Sequence, residues 1–144
     1  RFEINAGGAD VILDFDPQKD FIQLNAYYAA YDDIRKNSAT IADKQTGQTH
    51  TVIATAAALG DQLTIRNFTL PADETQVASA LGYSPGHPVP VPNHGVVINS
   101  GPGAVTVTGS AFADLIAVSD GNDDVSAGTG PTRRAFASPA GRRF

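Results

Sequence analysis

The residues able to do chemistry in this chain are overwhelmingly of one type. Of its 15 acidic side chains, 13 are Asp and only Glu3 and Glu74 are Glu. Asp presents its carboxylate close to its own backbone and tolerates turns, which suits it to oxygen-rich loops around a hard cation such as calcium. It equally suits turn-closing hydrogen bonds, and composition alone leaves both readings open. An acidic helical surface would favour Glu. Other chemistries are poorly provided for. There is no Cys, which excludes disulfides, thiolate zinc sites and cysteine nucleophiles. No acidic pair is set apart from the turn sequences as a glycosidase acid and base would be. His50, His87 and His94 fit no common helix or strand face, and two of them fall in a Pro-rich stretch, so a transition-metal site is not expected. The sequence reads as a non-enzyme.

The 144 residues favour one domain or two small ones and carry a formal charge of −5. Residues 2–130 hold all 15 acids against five bases (Lys19, Arg35, Lys36, Lys44 and Arg66), a local net of −10. Nucleic-acid binding by this body is excluded as an expectation, since phosphate recognition needs a basic surface. No apolar run reaches the roughly 18 residues of a membrane-spanning helix and no secretory leader is visible, so no membrane insertion is expected. The start at Arg1 and the lack of Met suggest a processed product or a fragment.

The Asp residues gain meaning from a repeat. Written in nines, the later part reads VPNHGVVIN from Val91, SGPGAVTVT from Ser100, GSAFADLIA from Gly109 and VSDGNDDVS from Val118. Ile98, Val107, Ile116 and Val125 share the eighth position, Asp114 and Asp123 the sixth, and Gly103 and Gly121 the fourth. A second match, Asn5-Ala6-Gly7-Gly8-Ala9-Asp10-Val11-Ile12-Leu13, lies near the start, with Gly8 fourth, Asp10 sixth and Ile12 eighth. These stretches resemble the G-G-x-G-x-D-x-U-x nonapeptides of repeats-in-toxin (RTX, hemolysin-type) proteins. From Asp10 to Leu24 the chain also resembles the D-x-I-x-D-F-x-x-x-x-D-x-I-x-L passage from an RTX β-roll into its C-terminal cap, matching at Asp10, Ile12, Asp14, Phe15, Asp20, Ile22 and Leu24. Tyr31-Asp32-Asp33-Ile34 resembles the short helical turn that follows in such caps.

Physical logic supports the pattern. A glycine-rich half-repeat turns tightly, the x-U-x half forms a short strand, and stacked turns are expected to align the U residues in one apolar ladder. The expected fold class is all-β: parallel β-roll turns with an antiparallel β cap segment and one short helix. Phe21–Leu24, Thr49–Thr55 and Gln62–Phe68 read as antiparallel strands. Pro71–Gly82 reads as the helix, with Pro71 in the first turn, Asp73 and Glu74 at its N-terminal end and Gly82 closing it. The organisation follows: 1–13 a roll turn, 14–82 the cap, 83–97 a Pro-rich linker, 98–130 degenerate roll repeats, and 131–144 a basic tail expected to be disordered.

The resemblance implies calcium as cofactor, type I secretion and folding outside a bacterial cell. The ligands expected are Asp10, Asp14, Asp20, Asp114, Asp120 and Asp123, with turn oxygens at Gly8, Gly121 and Asn122. The alternative is that these Asp residues only close turns on their own backbone. Phe112 and Val105 replace repeat positions normally held by Gly and Asp, which should remove sites, and Asp32, Asp33 and Asp43 read as solvated charges. Asp16-Pro17 resembles the bond cut in calcium-triggered self-processing modules, but Pro is an ordinary turn former here. Two further functions compete: a subunit assembling head to tail, with the Val107–Ile116–Val125 ladder meeting Phe2, Ile4 and Ile12 of another copy, and a polysaccharide-binding accessory module, for which Tyr27, Tyr28 and Tyr31 supply aromatic groups.

Overall fold

Three to six residues between Asp-, Gly- or Pro-bearing turns suffice for a strand and are too few for a stable helix, and this chain makes strands of most such runs. The computed structural model describes residues 2–4, 8–24, 30–55, 59–83, 94–100, 103–118, 122–126 and 132–136. Its elements in chain order are β1 (Phe2–Ile4), β2 (Ala9–Ile12), β3 (Ile22–Leu24), α1 (Tyr31–Lys36), β4 (Ser38–Asp43), β5 (Thr49–Ala54), β6 (Gln62–Ile65), β7 (Leu81–Tyr83), β8 (Val97–Asn99), β9 (Val105–Thr108), β10 (Asp114–Val118), β11 (Asp124–Ser126) and β12 (Thr132–Phe136). The protein is all-β with one short α-helix.

The strands form three sheets. A central sheet has the order β11-β9-β4-β5-β6-β2, and two smaller sheets have the orders β1-β3-β7 and β12-β10-β8. The β4–β5 hairpin is the antiparallel heart of the central sheet: β5 pairs antiparallel with β6, and β4 with β9. The flanking pairs β2–β6 and β9–β11 are parallel. Both small sheets are wholly parallel. Along the chain, β1, β3 and β7 lie in one small sheet while β2 and β6 lie in the central one. From β8 to β12 the chain again alternates, between the other small sheet and the central sheet.

That alternation corrects the single-ladder expectation. A nine-residue step carries the chain across to the facing sheet, so residues eighteen apart become neighbours. Ile98 pairs with Ile116 in one sheet, and Val107 with Val125 in the other. The four side chains still share one core. Val52 and Ala54 of β5 pack with Val96, Ile98, Val105, Val107, Ile116, Val118 and Val125. Ile53, between them in sequence, points to the opposite face and packs with Ile12, Leu63, Ile65, Ile22, Leu24 and Ile34. The central sheet thus has a core on each face.

Other expectations change with the topology. Phe21–Leu24 does supply a strand, but β3 runs parallel to β1 and β7. Residues 71–82 do not form a helix. Asp73 accepts the Thr75 N–H at 3.0 Å and caps a three-residue 3₁₀ turn, Glu74–Gln76, after which the chain enters β7. Val77 and Leu81 are both buried, as their spacing requires, but through a turn and a strand. Gly82 lies within that strand, where a Cβ would come within 2.5 Å of the Phe21 ring. The basic segment is not wholly without structure, because β12 continues the eighteen-residue register, with Arg134 opposite Ile116. Of the linker, residues 84–93 lie outside the described residues, and Val96 is buried.

Candidate functional site

The second half of the chain brings its sixth-position residues together in a way the repeat did not announce. Asp114 and Asp123 are 1% and 0% exposed. The Asp114 Oδ1 accepts the backbone N–H of Val96 at 2.9 Å, and the Asp123 Oδ1 accepts that of Val105 at 2.9 Å. Val96 and Val105 hold the sixth positions eighteen residues earlier. Each carboxylate therefore ties one turn to its parallel neighbour. The approach is close: at Gly95 a Cβ would collide with the Ala113 carbonyl and with Asp114 Oδ1. Only glycine fits under that strand end.

The two carboxylates differ in their second contacts. Asp114 is fully engaged. Its Oδ2 accepts the Ser110 N–H at 2.7 Å, and the Ser110 hydroxyl donates to its Oδ1 at 2.7 Å. The Asp123 Oδ2 is buried and has no hydrogen-bond partner among the described residues. A buried polar oxygen left without a partner is costly, on the order of 1–3 kcal/mol. Ser119 stands four residues before Asp123 as Ser110 stands before Asp114, and lies outside the described residues along with Asp120 and Gly121.

The residues on either side of Asp123 in sequence, Asn122 and Asp124, hold a cation that no local pattern could place. The Lys44 Nζ, from the turn after β4, donates to the Asn122 carbonyl at 2.6 Å and to Asp124 Oδ2 at 2.8 Å. Asn122 itself is exposed. This contact spans 78 residues, beyond the reach of any local pattern.

The N-terminal carboxylates are arranged otherwise. Asp10 lies on β2 and Asp14 just after it; both are exposed, and neither side chain has a hydrogen bond or ion pair among the described residues. Asp20 is half-buried and accepts the Asp16 N–H at 2.9 Å, closing the Asp16–Asp20 turn. Asp16 accepts the Gln18 N–H and pairs with Lys19, and these contacts hold its carboxyl below the usual range. Gly8, with φ of 81°, donates to Asp61 Oδ1 at 2.7 Å. Among the described residues, no three carboxylate or imidazole side chains converge to share a metal ion.

Two surface expectations also shift. Asp43 is half-buried, and its Oδ1 accepts the Gln45 and Thr46 N–H groups, so it caps the β4–β5 turn. Tyr31 is no sugar platform: it is buried, and its hydroxyl donates to the Pro71 carbonyl at 2.7 Å. Tyr27 and Tyr28 lie outside the described residues. A comparison with protein-family models, curated proteins and solved structures returns no match.

Proposed function

We propose that this chain is a calcium-responsive structural module of a secreted bacterial protein, built as two short β-rolls joined edge to edge through the β4–β5 hairpin. The alternation between facing sheets and the eighteen-residue parallel register support the roll reading. The observation that carries the calcium reading is the buried Asp123 Oδ2, which lacks a hydrogen-bond partner among the described residues. The oxygens that the sequence offers here are hard ones, the Asp123 carboxylate and that of Asp120 three residues before it, with no imidazole or thiolate near in sequence. Such a set suits calcium and not zinc or copper. Bound there, calcium would supply positive charge to a buried carboxylate and join successive turns. Asp114, already satisfied by Ser110 and Val96, is no part of this site. The role fits a chain whose body carries a net −10: without the ion the acidic turns repel one another, and with it binding becomes folding energy.

Thermal unfolding of the intact chain in millimolar calcium, in magnesium and in chelator tests this. Calcium should raise the melting temperature and magnesium should do far less, because it resists irregular multi-oxygen cages. Equal melting temperatures in all three would overturn the reading.

A second reading, self-assembly, rests on the sheet ends. The central sheet ends on β2 and β11, one strand from each roll, and Val11 and Leu13 at the β2 end are 56% and 69% exposed. Val107, Ile116 and Val125 are buried within their own chain, so copies would meet along strand edges and not through that ladder. Light scattering of the intact chain and of Leu13→Lys should then show larger particles only for the intact chain; a monodisperse monomer in calcium would end this reading.

A further inference from the structure

The core on one face of the central sheet draws on β4, β5, β9 and β11, but on neither β6 nor β2. That uncovered half of the sheet and the neighbouring β8 enclose a cleft of about 430 Å³, a size usual for small-ligand sites. Val11, Ile41, Val52 and Val97 give it an apolar floor and wall, while His50 and Arg66 line it as polar groups. We propose that this cleft binds a small monocarboxylate, with the anionic head at Arg66 and His50 and the apolar part on the valines.

Charge is the first argument. Lys19, Lys36 and Lys44 are each paired with an Asp. Arg66 makes no ion pair among the described residues, in a body that carries a net −10. A guanidinium that makes no ion pair among the described residues, in the lining of a largely apolar cleft, is complementary to an incoming carboxylate.

The second argument is the imidazole. His50 Nδ1 lies 2.8 Å from the backbone nitrogen of Asn67, and a backbone N–H can only donate. Nδ1 is therefore the acceptor, the ring proton sits on Nε2, and the ring offers an N–H donor from its other edge. The Asn67 that fixes this tautomer has φ of 57°, the one non-glycine residue with positive φ among the described residues. Asn tolerates that conformation better than most residues, but still at some strain. Burial and the adjacent Arg66 hold His50 below its ordinary value of 6.5, with Asp43 acting weakly in the opposite sense, which keeps the ring neutral near pH 7.

The wall is fixed in advance. Gln62 donates through Nε2 to the Val97 carbonyl at 2.7 Å and accepts the Val97 N–H at Oε1 at 2.8 Å, so its amide locks β8 to β6. A preformed cleft loses little freedom on binding. Asp43, also at the lining, repels a second negative charge and so favours a monoanion over a dianion.

Hexanoate is the probe, titrated into the intact chain and followed by NMR at the His50 ring and the valine methyls, with hexan-1-ol and hexylamine as controls. Hexanoate should give saturable shifts of His50, Val11 and Val52 at millimolar concentration, with each control at least about tenfold weaker. Arg66→Gln should weaken hexanoate about tenfold while leaving the remaining spectrum native, and Arg66→Lys should recover part of the loss. The absence of saturable shifts, equal binding of hexanol or hexylamine, or an Arg66→Gln variant that binds as tightly as the parent would each overturn the proposal.

Discussion

The turns that carry Asp114 and Asp123 begin alike and finish differently. Both carboxylates sit at the sixth repeat position, both are buried, and both accept the N–H of the valine eighteen residues earlier. Asp114 is then completed by Ser110 from its own turn, while Asp123 retains an oxygen with no partner among the described residues. One turn is a finished hydrogen-bonded joint, and the other keeps a buried oxygen to which we assign a cation. An Asp in a repeat is therefore not by itself a ligand: what surrounds its second oxygen decides its role.

Substitutions at the two turns should behave differently. The largest effect is expected from Asp114→Ala, which strands the N–H groups of Val96 and Ser110 inside the core. Chemical denaturation should show a loss of about 3 kcal/mol or more, the same in calcium and in chelator. Next in size is Asp123→Asn. In chelator it replaces a carboxyl whose Oδ2 is buried without a partner among the described residues, so the variant should be as stable as the parent or more so, and its melting temperature should no longer respond to calcium. Asp114→Asn should destabilise in both conditions, because an amide nitrogen would then face donors. Ser119→Ala measures the rival completion: a loss matching that of Ser110→Ala would show that Asp123 is finished by serine and needs no ion.

Smaller effects concern the contacts around the two joints. Lys44→Met removes an ammonium from the Asn122 carbonyl and Asp124, both partly solvated, and should cost no more than about 1 kcal/mol, less at high salt. The smallest is a pH effect at His50. Its folded-state pKa lies below the ordinary 6.5, so the unfolded chain takes up a proton first as pH falls. Stability is therefore full above 6.5, declines between 6.5 and the lower folded value, and levels off beneath it. His50→Gln should flatten that part of a stability-against-pH curve.

Much of the second half was legible in the sequence because its period is short and its apolar positions are strict. Ile98, Val107, Ile116 and Val125 are all core residues, and each lies on a strand. The β4–β5–β6 region was legible as antiparallel β for similar reasons of alternation and turn placement. What could not be read was partnership. Nothing local says that residues eighteen apart pair and those nine apart face each other, or that β3 finds β1 and β7 in parallel. The same holds for the site. The repeat marks Asp114 and Asp123 as equivalent, and only the fold shows Ser110 completing the first while the second keeps an oxygen with no partner among the described residues. Asp10, placed by resemblance among the ligands, is an exposed side chain on an edge strand, whereas Asp43, read as solvated, caps a turn. Asp43→Ala should therefore destabilise more than Asp10→Ala, a reversal that follows from who their neighbours are.

The central claim is that the Asp123 turn is completed by a cation and the Asp114 turn by protein. Calorimetric titration of calcium into the intact chain and into Asp123→Asn tests it most directly. Binding to the intact chain should be saturable, at millimolar affinity or tighter, and abolished in Asp123→Asn. Binding that persists unchanged in Asp123→Asn, or no binding to the intact chain, would contradict it.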